Sequence, residues 1–524
     1  LIERIKIEAA EGACQALAIP RFRGSLMTAE SRPSANLEVG AADTSWRLLQ
    51  AIWAAAAGNA AALERVRIIG SGSLPSAFAV SDLAAASVSA AGLALSELTS
   101  RLGRPAPSVT VDRRLASLWF GFSIRPEGWA PPAPWDALAG DYRTRDGWIK
   151  LHTNAPHHRA AALATLKAEA DREAVERAVG TWRAEDLESA IVAAGGCAAK
   201  LRSAEEWREH PQGRSLASEP LIDRLTLDTG PGPVLQGTAA RPLAGLRVLD
   251  LTRVLAGPVA TRFLAGYGAE VLRIDPPDWD EPSLAPEVMI GKRGARLDLR
   301  TRDGRSRLLD LLGGADVLVH GYRPDALEQL GLGLAVRRAT RPGLVEATLD
   351  AYGWSGPWAG RRGFDSLVQM SSGIAHTGMM AAGAGRPVSL PVQALDQATG
   401  YILATTVLLG LCDQLDTGRG VLARSALART ADLLLTAPAS APSPEPAIEI
   451  AEDDWSSEVE TTAWGPARRL KSPLVVEGAP KSWDHPAQAL GSGRPEWPGP
   501  GETLERRNPP PPTGRQARRS DSTG

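Results

Sequence analysis

Cysteine is scarce in this chain: three residues in 524, Cys14, Cys197 and Cys412, set far apart with no C-x-x-C pair. That spacing excludes a disulfide framework and a thiolate zinc site, and it fits a reducing compartment. A surplus of either charge is also missing. The formal net charge of −2 gives no reason to expect nucleic acid or an acidic membrane as partner. No long apolar run occurs either; the longest, such as 401–412, stop short of the roughly 20 residues that a bilayer span requires. With no secretory signal in view, a cytoplasmic protein is expected.

What is present is the composition of an ordinary globular chain, 44% hydrophobic and 23% charged, and long enough for two or three domains. Between residues 245 and 435, short apolar runs at 246–251, 271–274, 316–319 and 344–349 alternate with amphipathic segments. This alternation predicts βαβ units and an α/β fold: a large domain built on a doubly wound, mostly parallel sheet, beside a smaller α/β domain. Ligands of such sheets bind outside the carboxyl ends of the strands, so residues just after each run are the functional candidates.

The same stretch carries an ordered set of blocks: LRVLDLTRVLAGP, GAEVLRID, GKRGARLDL, ADVLVHGYRPDALEQLGL, RRGFDSLVQMSSGI and TGRG. Together they resemble the class III CoA-transferases, the family of formyl-CoA and carnitine CoA-transferases that also holds α-methylacyl-CoA racemase. The resemblance implies coenzyme A, as acyl-CoA substrate, a carboxylic acid acceptor, and no metal. Family members are interlocked homodimers, so either a homodimer or an intrachain pseudo-dimer is implied here.

The block order departs from the family's, and a fused or tandem member is the expected reason. Residues 75–102 form an alanine-rich helix after Asp82, followed by Gly-Arg, a strand and a helix. Residues 393–435 repeat that plan after Asp396, which reads as a degenerate internal duplication. The expected division is a disordered or non-native leader at 1–43 (residue 1 is Leu, and Met27 reads as a start), a partial copy of large-domain elements at 44–136, and a small α/β domain at 137–225. A Pro/Gly-rich linker at 226–242, the CoA-binding large domain at 243–440, a return segment at 441–497 and a disordered tail at 498–524 complete it.

Asp396, in PVSLPVQALDQATG, is the candidate nucleophile that the resemblance implies. A carboxylate can divide one difficult exchange between acids into anhydride and thioester steps. An Asp at a helix start is most often only a cap, on local sequence alone. Asp82 is the weaker candidate, because its half lacks basic strand-end residues. For CoA, the resemblance implies Val254 and Leu255 after the first strand, and Lys292, Arg293, Leu297 and Arg300 in the next basic block. It further implies Tyr322, Arg323 and Ala326 after the following strand, and Arg362. Phosphates call for such cations.

Two rivals remain on the same fold. A CoA-ester lyase, isomerase or racemase would use the carboxylate as a base, although Phe364 stands where the racemase branch has its histidine; Asp365 or His376 would have to substitute. A non-catalytic acyl-CoA-binding protein is the other. A nicotinamide enzyme is disfavoured because the first strand–helix turn lacks G-x-G-x-x-G. His152, His157 and His158 lie close together, but no acidic or cysteine ligand has matching spacing, and the segment reads as a domain surface.

Overall fold

The computed structural model describes residues 44–437 and 447–498; the expected leader at 1–43 and nearly all of the tail lie outside them. Sixteen strands form four sheets among the described residues. The first region begins with helix α1 (Thr44–Ala55), strand β1 (Val66–Ile69), the long helix α2 (Val80–Arg101), strand β2 (Val109–Asp112), helix α3 (Arg113–Trp119) and strand β3 (Ile124–Pro126). β1 and β2 are parallel, as α2 crosses between them.

A small module follows. Strands β4 (Gly140–Arg143), β5 (Trp148–Leu151) and β6 (Ala198–Lys200) make an antiparallel sheet, with β4 and β5 joined at the expected Arg145–Gly147 turn. Its helices include α4 (Pro156–Leu166), which opens on a proline, where a missing N–H costs nothing. Leu138, Tyr142, Ile149, Leu187 and Ile191 give the module a core of its own.

The chain then enters the large sheet earlier than the Pro/Gly-rich composition indicates. Residues expected to be linker from 226 onward begin inside strand β7 (Asp223–Thr229), because its residues alternate and find an open edge to pair with. The sheet order is β10-β9-β8-β11-β12-β13-β7, from strands β8 (Arg247–Leu251), β9 (Glu270–Asp275), β10 (Lys292–Arg296), β11 (Val317–His320), β12 (Val345–Asp350) and β13 (Arg419–Ala426). Six strands are parallel, and β7 closes one edge antiparallel. In chain order the parallel strands run 3-2-1-4-5-6, which places a topological switch point between β8 and β11. The expected doubly wound α/β fold with a smaller α/β domain is what the molecule has.

Helix α5 (Ala256–Gly266) follows β8, α6 (Asp365–Ser372) follows β12, and α7 (Ala394–Thr417) crosses over to β13, which leads into α8 (Leu427–Thr436). α7 is buried on almost every side, so it needs small residues where neighbours come close. At Gly400 an added Cβ would stand 2.5 Å from Ala256 O and 2.7 Å from Val259 Cβ, so only glycine lets α5 and α7 touch there. α2 and α7 are long and apolar enough, by length and composition, to cross a membrane, and both are packed inside the fold.

The expected return segment does not rejoin the large sheet. Strands β14 (Trp455–Thr462) and β15 (Gly465–Leu470) pair with β3, and β16 (Leu474–Val476) pairs antiparallel with β2. The β1–α2–β2 unit with β16 on its edge thus has the plan of β12–α7–β13 with β7 on its edge. α2 and α7 pack against one another in the middle of the protein.

Candidate active site

A cavity of about 370 Å³ opens at the carboxyl ends of β8, β11 and β12, at the switch point. Its size is ordinary for a small-molecule site. The turn after β8 forms one wall. Val254 there has φ of +66°, a left-handed conformation that a β-branched residue rarely adopts. Its N–H is held by Glu281 Oε1 at 2.6 Å, while Arg273 clamps the other oxygen of Glu281 at 2.8 Å. Backbone strain of this kind collects at functional sites.

Four guanidinium groups line the cavity: Arg253, Arg323, Arg361 and Arg362. Arg361 is committed, to Glu188 at 3.0 Å and Ala198 O at 2.9 Å. Among the described residues, no carboxylate forms an ion pair with the other three. Arg253 lies over the rings of Trp279 (4.9 Å) and Tyr322 (5.4 Å) and donates to Tyr322 Oη at 3.3 Å. Arg323 reaches only Gly360 O, at 3.4 Å. The cavity is therefore built for an anion.

Asp396 reaches the same cavity from the first turn of α7, 5% exposed. Among the described residues no donor reaches its carboxylate. Asp365, fully buried at the start of α6, accepts the N–H groups of Leu395 (2.9 Å) and Asp396 (3.0 Å) and the amide of Gln369. It thereby caps α7 from another helix. Burial pushes the Asp365 carboxyl up to about 6, against those hydrogen bonds. Burial, and then the Asp365 charge, hold Asp396 well above the usual carboxylate range. Two carboxyl groups side by side in a dry place share the task of ionising badly.

Of the residues named from the sequence, Val254, Tyr322, Arg323, Ala326, Arg362 and Asp396 meet in this cavity. Leu255 is in the core at the base of α5 instead. Lys292 is a correction. It is buried at the amino end of β10, bonded to Asp250 Oδ2 at 3.1 Å and Pro258 O at 2.9 Å, and burial lowers its pKa to about 8. Arg293 faces Glu270 at 3.5 Å on the edge strand. Both lie at the wrong end of a parallel strand for a ligand. Leu297 and Arg300 follow the carboxyl end of β10 but are outside the cavity lining, with Arg300 paired to Asp298 at 2.8 Å and Asp278 at 3.7 Å.

Asp82 has the same place in α2 that Asp396 has in α7, and different company. It is 4% exposed, pairs with Arg113 Nε at 3.0 Å and accepts Ser45 Oγ at 2.6 Å. A carboxylate so held is a structural group.

Two of the histidines, His152 and His158, correct another expectation, since they are buried, while His157 is exposed. His152 is buried and stacks on Phe364 (centroids 3.7 Å apart), and His158 meets the same ring edge-on (5.8 Å). His157 and His158 line the cavity, so the small module supplies one wall and the large sheet the others, within one chain. No group of metal-ligating side chains occurs among the described residues. Arg253, Trp279, Asp350, His157 and His158 were not singled out for this site by sequence. The strand-end rule pointed to Arg253; nothing local pointed to the histidines.

Residues 243–447 match the model of CoA-transferase family III. The chain is similar to an acyl-CoA transferase of Gibberella moniliformis, 31% identical over 306 residues, covering 53% of each protein. It is similar to a probable fatty acyl-CoA transferase of Mycobacterium tuberculosis, 37% identical over 186 residues that cover 33% of this chain and 47% of that one. A succinyl-CoA:glutarate CoA-transferase of Mus musculus is 32% identical over 194 residues, 34% of this chain and 44% of that one. The chain spans about half the length of the curated relatives it matches.

Proposed function

We propose that the protein is an acyl-CoA:carboxylate CoA-transferase in which Asp396 is the covalent carrier. One observation carries this reading: a buried carboxylate with no donor among the described residues shares a cavity with three guanidinium groups that no described carboxylate neutralises. The family match of residues 243–447 supports it.

The chemistry follows from the placement. An Asp396 oxygen attacks the acyl carbon of the donor thioester; the C–S bond breaks and CoA leaves as thiolate, giving a mixed anhydride. The thiolate attacks the Asp396 carbonyl carbon, releasing the donor acid and leaving an aspartyl-CoA thioester. The acceptor carboxylate then repeats both steps in reverse order, so that its own CoA ester departs and Asp396 is regenerated. Burial withholds water from the anhydride and thioester, which would otherwise hydrolyse. Arg253, Arg323 and Arg362 hold anionic groups of CoA and the acids. In this reading the acyl-pantetheine arm occupies the cavity and the nucleotide lies outside it.

The test is intact mass measurement after incubation with a panel of acyl-CoAs, followed by hydroxylamine trapping and peptide mapping. The expected adduct is on Asp396 and is lost in Asp396→Asn. Binding of CoA esters without any adduct would replace this reading with a lyase, an isomerase or a non-catalytic acyl-CoA-binding protein.

A further inference from the structure

Attack on a thioester drives the carbonyl π pair onto oxygen, and catalysis depends on a donor waiting for it. The nearest backbone donors are already used. The N–H groups of Leu395 and Asp396 both point to Asp365 Oδ2, so the start of α7 offers the oxyanion neither of them. A side chain on another wall of the cavity can supply the donor.

Among the described residues, three side chains lining the cavity hold a buried nitrogen with no partner: His158 at Nδ1, Trp279 at Nε1 and Arg361 at Nε. A buried polar group left unpaired costs about 1–3 kcal/mol, so each is a place where a ligand gains. Arg361 is drawn toward Glu188 and lies 3.8 Å from the Trp358 ring. Trp279 lies beside Arg253, whose guanidinium is 4.9 Å from its ring. His158 meets the ring of Phe364, the residue before Asp365, edge-on at 5.8 Å.

His158 Nε2 is 3.5 Å from Cys197 Sγ. Burial keeps the Cys197 thiol protonated, with its pKa pushed up to about 12, and burial lowers the His158 ring to about 3. A neutral thiol in contact with a neutral ring can donate to Nε2, and the ring hydrogen then sits on Nδ1.

We propose that His158 Nδ1–H donates a hydrogen bond to the acyl carbonyl oxygen of the bound thioester, setting the acyl carbon against Asp396 and holding the negative charge that develops on that oxygen. The proton stays on His158; when the carbonyl re-forms, the electron pair leaves with the CoA thiolate. This rests on Asp396 being the acyl carrier, and it assigns the small module a direct part in the reaction.

The experiment is single-turnover adduct formation on Asp396 at saturating acyl-CoA, with CoA affinity measured in parallel. His158→Ala is expected to slow adduct formation about 100-fold, and His158→Asn, whose amide N–H replaces Nδ1–H, to stay within about 10-fold of the parent, as for loss or retention of one oxyanion donor. CoA affinity should be unchanged in both. Should the alanine variant not fold, His158→Asn against His158→Gln, which carries its amide at the Nε2 position, makes the same comparison. Equal rates for parent and alanine variant, equal slowing by Asn and Ala, or a loss of affinity matching the loss of rate would each overturn the proposal. No adduct in the parent chain would instead remove the Asp396 reading on which it depends.

Discussion

Asp82 and Asp396 each occupy the first turn of a long alanine-rich helix, each buried, each followed by a strand and another helix. Their surroundings are opposite. Around Asp82 stand the Arg113 guanidinium and the Ser45 hydroxyl. Beside Asp396 stands a second carboxylate, and in front of it an open cavity. The first arrangement settles a charge into the fold. The second keeps a carboxyl group desolvated, unmatched and reachable. One plan of backbone can thus bury a paired carboxylate or present an unmatched one to a cavity, and what divides the two outcomes is a handful of side chains around the carboxylate.

The largest expected effect comes from taking the cation away from the first region. Arg113→Met leaves the buried Asp82 without its guanidinium, and breaking a buried pair from one side costs about 3–5 kcal/mol. Denaturant unfolding should show that loss, while adduct yield on Asp396 per folded chain stays at the parent level. An adduct appearing at Asp82 in this variant would break the comparison, because it would mean that the cation alone had silenced that site.

This contrast was only partly legible in the chain itself. The alternation of apolar runs located β8, β9, β11 and β12 to within a residue or two, because parallel strands buried on both faces have little freedom in composition. The duplicated helix plan was legible too, and so was the position of Asp396 at the start of its helix. The Arg113 pair was not: a strand-end arginine next to another arginine reads as surface charge until the backbone brings it across to α2. Lys292 failed for a related reason, since a basic block says nothing about which end of its strand faces the ligand. His158 reaches the cavity only because a separately folded module docks there, and no local pattern records a docking.

A smaller effect sharpens the second region. Asp365→Asn keeps an oxygen to accept the Leu395 and Asp396 N–H groups but removes the neighbouring charge that raises Asp396. In the proposed mechanism adduct formation needs Asp396 ionised, so the rate should rise at lower pH in the variant, with its midpoint moved down. The measurement is the single-turnover rate against pH in parent and variant. An unmoved midpoint would mean that burial alone sets the Asp396 titration.

The smallest effect is a stability difference that changes with pH. Asp396 has a folded-state pKa well above the value of about 3.9 expected in the unfolded chain. The folded protein therefore binds more protons than the unfolded one between those values, and stability associated with this group is present in acid and lost as pH rises through the folded pKa. Asp396→Asn cannot ionise and escapes the loss. The variant should melt a few degrees above the parent at pH 8, and the gap should close toward pH 5. Histidines held neutral by burial, such as His152 and His158, act in the opposite direction, but equally in both proteins, so the difference isolates Asp396. The same subtraction on Asp82→Asn has the opposite sign at neutral pH, since that change removes one half of an ion pair. Two substitutions of one kind, at two matching places, would then move the melting temperature in opposite directions.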